Sequence, residues 1–326
     1  MAFFLFITLL TGTMLPASAN EDWADYKQRF IAPDGRVMDT GNNNISHSEG
    51  QGYGMLLAVF HDDELCFSRM WEWARKKLGR YDLPLFAWKY DPASTPHVKD
   101  DNNATDGDIL IAWALLQAGR KWQNTNYLNI SRRIRHAVSD NLIKYYADHW
   151  VLVPGLKGFS GEGYVDLNLS YWVIPALQDF AATDNHAAWS RVIDSGLALL
   201  SLSKFGDAQL PADWIRLQAD GSVKPAPDWP GRFGPDAVRI GLYLAWGGYG
   251  NNKSLEPVKL FWNAARDVPP AWIDLESSQV APYQAPGGVV AIRELLSSRR
   301  VATELNSNDD YYSASLIMLS KVAQNN

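Results

Sequence analysis

Three carboxylates share one kind of place in this sequence. Glu49 follows Ser46-His47-Ser48 and opens Gly50-Gln51-Gly52-Tyr53-Gly54, which runs into the apolar Met55-Leu56-Leu57-Ala58. Asp106 sits in Asn102-Asn103-Ala104-Thr105-Asp106-Gly107-Asp108, ahead of Ile109, Ala112, Trp113 and Leu116. Asp236 follows Pro235 and precedes an apolar segment ending at Trp246. In each case a polar loop gives way to helical spacing, so each acid falls at a predicted helix start, with Ser48 the expected cap of the first. If the helices alternate around a ring, their starts on one rim converge. Neighbouring carboxylates do not all ionise easily, so one keeps a proton as general acid while another acts as base. An acid, a base and a third carboxylate suit cleavage of a glycosidic bond. Helix starts also collect Asp and Glu for dipole stabilisation alone, so the pattern by itself leaves both readings open. The glycines after Glu49 would let another group, such as a sugar chain, come close.

The elements that must position these acids read as helices. Trp23, Tyr26 and Phe30 form one helical face. Further stripes are Phe67–Leu78, Tyr127–Ala137, Ser170–Phe180, Trp189–Leu200, Val258–Ala265, Val289–Leu296 and Tyr311–Val322. Eleven or so helices result, joined by loops of unequal length. Strand signals are few, with one hairpin expected in 151–163. That excludes a doubly wound sheet or a sandwich. A solenoid, an irregular bundle and a closed barrel of helical hairpins remain, and no fixed repeat favours the solenoid. The stretch 205–235, rich in Pro, Asp and Trp, is long enough to be functional or to carry structure of its own.

Of the 326 residues, 47% are hydrophobic, enough for a large core, and no linker or charge run divides residues 20–326, which read as one domain. The net charge of −6 argues against a nucleic-acid partner. Residues 1–19 read as a secretory signal: Phe3–Leu15 is apolar, and Ala17-Ser18-Ala19 fits a cleavage site. The apolar run is short for a membrane span, so no membrane insertion is expected after its removal. Cys66 is the sole cysteine and reads as a buried apolar residue. The glycines at 50–54 lack the preceding strand of a phosphate loop. The segment from Asp101 to Ala112 lacks the glycine and the terminal Glu of a calcium loop. The six histidines show no zinc-ligand spacing, so neither metal nor cofactor is expected. Trp88, Tyr171, Trp214 and the pair Tyr311-Tyr312 lie on or beside loops, where sugar stacking and packing compete; Trp71, Trp73 and Trp113 read as core.

Ser48-Glu49-Gly50-Gln51-Gly52-Tyr53-Gly54-Met55, followed by Ala104-Thr105-Asp106-Gly107-Asp108 and then Asp236-Ala237-Val238-Arg239, resembles glycoside hydrolase family eight. The Trp88 loop, Leu169-Ser170-Tyr171, Asp213-Trp214 and Tyr311-Tyr312 add lesser likenesses. The stretch from Trp23 to Asp39 looks most like the cellulases encoded with bacterial cellulose synthases. The resemblance covers residues 20–322. It implies an all-α (α/α)6 barrel with an open cleft, and endo-cleavage of β-1,4-glucan with inversion. It makes Glu49 the acid, Asp236 the base and Asp106 the residue that binds the distorted sugar, with Trp88, Tyr171, Arg239 and Tyr311 as substrate-binding positions. It also implies export to the periplasm or beyond and a possible cellulose synthase complex as partner. Pro235 stands where many members have Tyr, and Leu169 where Pro is common. A same-fold chitosanase, lichenase or xylanase, and a non-catalytic glucan-binding subunit, are the alternatives. Inversion requires the carboxyls of Glu49 and Asp236 to stand roughly 6.5–9.5 Å apart.

Overall fold

A computed structural model describes residues 17–184, 187–265 and 267–325. Residues 1–16, most of the expected signal, lie outside them, and Ala17–Ala19 open the first helix. Eleven α-helices occur among the described residues: α1 Ala17–Phe30, α2 Ser48–Phe60, α3 Glu64–Lys77, α4 Thr105–Lys121, α5 Thr125–Leu142, α6 Ile174–Asp184, α7 Ala187–Leu202, α8 Val238–Trp246, α9 Glu256–Ala264, α10 Gly287–Leu296 and α11 Tyr311–Gln324.

Two kinds of helix alternate in role. In α2, α4, α8 and α11 nearly every side chain is buried, whereas α3, α5, α7 and α9 bury one stripe only. A helix apolar all round must be enclosed by others. Accordingly α2 packs on α4 and α11, α4 on α6, α6 on α8, and α8 on α10 and α11, which closes a circle; α3, α5 and α7 flank it from outside against α2, α4 and α6. The architecture is the (α/α)6 barrel. Tyr53, Met55, Leu110, Ile111, Tyr243 and Leu316 are each at most 1% exposed and belong to one continuous core, and Trp71, Trp73, Trp113 and Cys66 are buried with them.

The glycines after Glu49 serve this packing rather than a sugar. A Cβ on Gly52 would sit 2.5 Å from the Leu110 Cβ, and one on Gly107 would strike the Ser48 side chain and lie 2.8 Å from the Glu49 amide nitrogen. With only hydrogen at these positions, α2 and α4 approach closely enough for Glu49 and Asp106 to share one site. Gly50 and Gly54 likewise face Tyr311 and the Met70 and Val37 side chains.

The strands are more numerous than the sequence suggested. Residues 143–146 pair with 149–152, ahead of and overlapping the expected hairpin. Residues 160–161, 164–167, 215–218 and 223–225 form a four-stranded antiparallel sheet, so the long loop after α7 does carry structure of its own. Each strand is two to four residues long, too short for alternation to stand out. The expected helix from Ser170 is a 3-10 turn, Leu169–Tyr171, before α6 begins. Among the described residues no helix is long and apolar enough to cross a membrane.

Candidate active site

Glu49 lies in the first turn of α2. The cap is His47, not Ser48: the His47 Nδ1 accepts the Gly50 N–H at 3.2 Å while its Nε2 meets Asp39 at 3.2 Å. Ser48 is already helical, because the extended residue before it supplies the cap. The strand 46–47 pairs with 89–90, and the Ser48 amide donates to the Trp88 carbonyl at 3.0 Å. This backbone tie sets Trp88 beside Glu49. Trp88 is 37% exposed, with the Lys89 Nζ 5.4 Å from its ring centroid and its indole N–H bound to Asp100 at 2.9 Å.

Asp106 is in the first turn of α4, and Asp108 two residues on is fully buried. Asp108 accepts from the Phe86 amide at 2.9 Å and the Asn103 amide group at 2.7 Å, which fixes the loop leading to Trp88; burial pushes its carboxyl up to about 8. Asp236 stands two residues before α8, in the turn that enters it. The 3-10 turn at Leu169–Tyr171 places Tyr171 near Asp106 and Asp236, whose charges, after burial, raise its phenol.

One guanidinium draws the three acids together. Arg239 of α8 contacts the Glu49 carboxylate and lies 3.5 Å from Asp106 through Nη1, and it bonds Asp236 at 2.6 Å through Nη2. Its Nη1 also reaches the Tyr53 hydroxyl at 3.2 Å, and Tyr53 in turn meets Tyr243 at 2.9 Å. The side chains of Arg239 and Asp106 are each 3% exposed, Glu49 15% and Asp236 31%, so Glu49 and Asp236 open outward over a buried floor. One cation cannot neutralise three anions. Burial raises the Asp106 carboxyl; burial, then the charges of Asp213 and Asp106, raises that of Asp236. Asp106 and Asp236 therefore retain protons above the ordinary carboxylate range and titrate together. That is a group able both to give and to take a proton near neutrality.

Of the positions expected from sequence, the structure brings Glu49, Asp106, Asp236, Arg239, Tyr171 and Trp88 to one face. Tyr311 departs from that set. Its ring is 1% exposed and packs edge-on against Phe30 and His47, under α2. A sugar does not reach it there. Its neighbour Tyr312 faces the cleft, donating to the Pro235 carbonyl at 2.5 Å with Arg239 6.0 Å from its ring. The i and i+1 positions of a helix start point in different directions, and the pair Tyr311-Tyr312 carries no cue to which faces out. Trp214 departs as well. Its face lies 4.4 Å from Trp229 at 7°, and its indole N–H bonds Asp236 at 3.1 Å, so it packs beside that carboxylate instead of offering a free face to a sugar. In the sequence, Tyr53 and Asp213 figure only as members of the Ser48–Met55 and Asp213-Trp214 likenesses, with no role attached, and Tyr243 not at all.

Nothing in the donor set calls for a metal: among the described residues no group of His, Cys, Asp or Glu is arranged to hold one.

The chain matches the model for Glycosyl hydrolases family 8 over residues 7–326. It is 40% identical over 311 residues to an endoglucanase of Cellulomonas uda, a match covering 92% of this chain and 85% of that one. A family 8 endoglucanase structure from Klebsiella pneumoniae superposes with a TM-score of 0.91 at 41% identity, covering 94% of this chain and 99% of that one. The structure of an endo-β-1,4-glucanase from Acetobacter xylinum gives 0.88 at 37%, with 95% and 99% covered. By its sequence match, its barrel and its three-carboxylate rim, the chain belongs to glycosyl hydrolase family 8.

Proposed function

We propose that this chain hydrolyses internal β-1,4-glucosidic bonds with inversion, Glu49 protonating the glycosidic oxygen, Asp236 activating water, and Asp106 holding the distorted sugar at the point of cleavage. The chain is an endo-β-1,4-glucanase, as its family and its endoglucanase relatives indicate. The observation that carries the residue roles is the convergence of Glu49, Asp106 and Asp236 on Arg239. Glu49 and Asp236 take different nitrogens of that guanidinium, an arrangement compatible with a water between base and sugar. Trp88 supplies a flat apolar face for a glucosyl ring, and Tyr171, close to both aspartates, would hold a water or sugar hydroxyl between them. Arg239 turns the base carboxylate toward the cleft. Proton transfer of this kind asks for no cofactor.

The apolar Phe3–Leu15 run supports export, and the likeness of Trp23–Asp39 to cellulases encoded with cellulose synthases supports a role beside glucan synthesis. The substrate assignment is tested by reducing-sugar release from carboxymethylcellulose, lichenan, xylan and chitosan. Carboxymethylcellulose is expected to lose viscosity well before its reducing ends accumulate, with xylan and chitosan cut at least tenfold more slowly. Chitosan or xylan as the better substrate would overturn it.

A further inference from the structure

The dipeptide Asp213-Trp214 holds Asp236 from two directions. The Asp213 Oδ1 accepts three backbone N–H groups, from Gly234 at 2.9 Å, Asp236 at 3.2 Å and Ala237 at 2.9 Å. Its own amide donates to the Arg232 carbonyl at 2.8 Å, and its Oδ2 lies 3.3 Å from the Arg232 guanidinium. Gly234 is the residue that fits here, because a Cβ would come 2.7 Å from the Asp213 Oδ2. The turn carrying Asp236 is therefore wrapped around one carboxylate that is 5% exposed. The next residue, Trp214, donates its indole N–H to the Asp236 Oδ2 at 3.1 Å. Its ring is fixed by Trp229 at 4.4 Å and 7°, by Phe159 at 5.7 Å and 8°, and by the edge of Tyr171 at 5.9 Å. Arg239 takes the other oxygen, Oδ1, at 2.6 Å. Each carboxylate oxygen accepts two hydrogen bonds, so a lone pair stays free for water while rotation of the carboxylate is blocked.

We propose that Asp213 and Trp214 are the positioning pair of the general base: Asp213 fixes the turn that carries Asp236 and, by its charge, keeps Asp236 basic, while Trp214 fixes the orientation of the Asp236 carboxylate. The inference rests on Asp236 as base. The groups facing Asp236 are Glu49 on α2, Asp106 on α4, Asn168 and Tyr171 around the 3-10 turn, Arg239 on α8, Tyr312 on α11, and Asp213 with Arg232 beside it. Burial raises the Asp213 carboxyl, and the amides of Ala237 and Gly234 with Arg232 oppose that rise. With three backbone amides and Arg232 around it, Asp213 carries its charge beside Asp236. A negative Asp213 then disfavours the charge on Asp236 and raises its pKa.

The sign of the effect follows. A base works only when ionised, so activity falls as pH drops through the Asp236 pKa. Removing the Asp213 charge lowers that pKa and moves the loss to lower pH, and a weaker base also turns over more slowly. The test compares Asp213→Asn, Trp214→Phe and Asp236→Asn with the wild-type enzyme on cellopentaose between pH 4 and 9. Asparagine keeps an acceptor oxygen for the three amides and drops the charge; phenylalanine keeps the stack and drops the indole N–H. Asp213→Asn is expected to shift the acid limb of kcat down by half a pH unit or more. Trp214→Phe is expected to lower kcat about tenfold with KM changed less than twofold. A purely structural role would lower the melting temperature and the amount of active enzyme without moving the limb. An acid limb of Asp213→Asn that coincides with wild type, or a Trp214→Phe kcat within twofold of wild type, overturns the proposal. If Asp213→Asn yields no folded protein, the Trp214→Phe result decides. Asp236→Asn separates the two levels: full activity in that variant would remove the base assignment itself, whereas an inactive Asp236→Asn beside unaffected Asp213 and Trp214 variants would remove only the positioning role.

Discussion

Glu49→Gln is expected to lose glucanase activity by about 10²–10⁴-fold, the range that a positioned general acid contributes, with its circular dichroism and melting temperature close to wild type. The glutamine carbonyl still accepts from Arg239, so the contact that holds α2 to α8 survives. What is lost is the proton for the leaving oxygen. A glucosyl alcohol leaves poorly without it, whereas a dinitrophenolate does not need it. The deficit of Glu49→Gln should therefore shrink sharply on a 2,4-dinitrophenyl cellobioside, and that of Asp236→Asn should not. Equal deficits on the two substrates would remove Glu49 from the acid role.

Arg239→Met is expected to be the most damaging single change for the fold at this rim. The guanidinium is the shared counter-ion of Glu49, Asp106 and Asp236 and is itself 3% exposed. Deleting one partner from a buried ionic cluster costs about 3–5 kcal/mol, because the remaining charges stay in the interior unpaired. In a chain of this size that lowers the melting temperature by on the order of 10 °C. The cost has a pH signature. Burial already holds the Asp106 and Asp236 carboxyls above their unfolded values, and losing the cation raises them further. The native state then binds more protons than the unfolded chain between the unfolded and folded pKa values, and stability falls as pH rises through that window. The gap between variant and wild type, read by differential scanning calorimetry, should be widest near pH 8 and narrower near pH 5. A gap that widens toward acid would contradict the cluster as described.

These two variants also mark what the chain discloses about itself. The helices were readable because their apolar stripes are long: α4 from Ile109 to Leu116 and α5 from Tyr127 to Ala137 repeat at helical spacing over several turns. The acids at helix starts were readable because each follows a polar loop. The closing of the ring depends on which helix packs on which, and no periodicity records that. The expected hairpin in 151–163 reached only the strand 160–161 of the four-stranded sheet, and 164–167 and 215–225 were missed because two to four residues hold too little alternation. In the site, the error over the glycines of α2 is instructive. Glycine beside a candidate acid suggests room for substrate, yet here the room is filled by Tyr311, Leu110 and Met70 from within the protein. Tyr311 and Trp214 carry the same lesson for aromatics: the chain names the ring, but only the packing decides whether a sugar, a helix or a carboxylate meets it. Asp213 stood out only as part of the Asp213-Trp214 likeness, and its contacts were unreadable because its partners are backbone amides of a turn 21–24 residues away.

The central claim is that Glu49 and Asp236 act from opposite sides of the bond, with water delivered by the base. Proton NMR of the first product formed from a soluble cello-oligosaccharide, recorded before mutarotation equilibrates the anomers, tests it most directly. The account predicts that the new reducing end appears as the α-anomer. An initial β-anomer would mean retention, a covalent intermediate and a different job for Asp236.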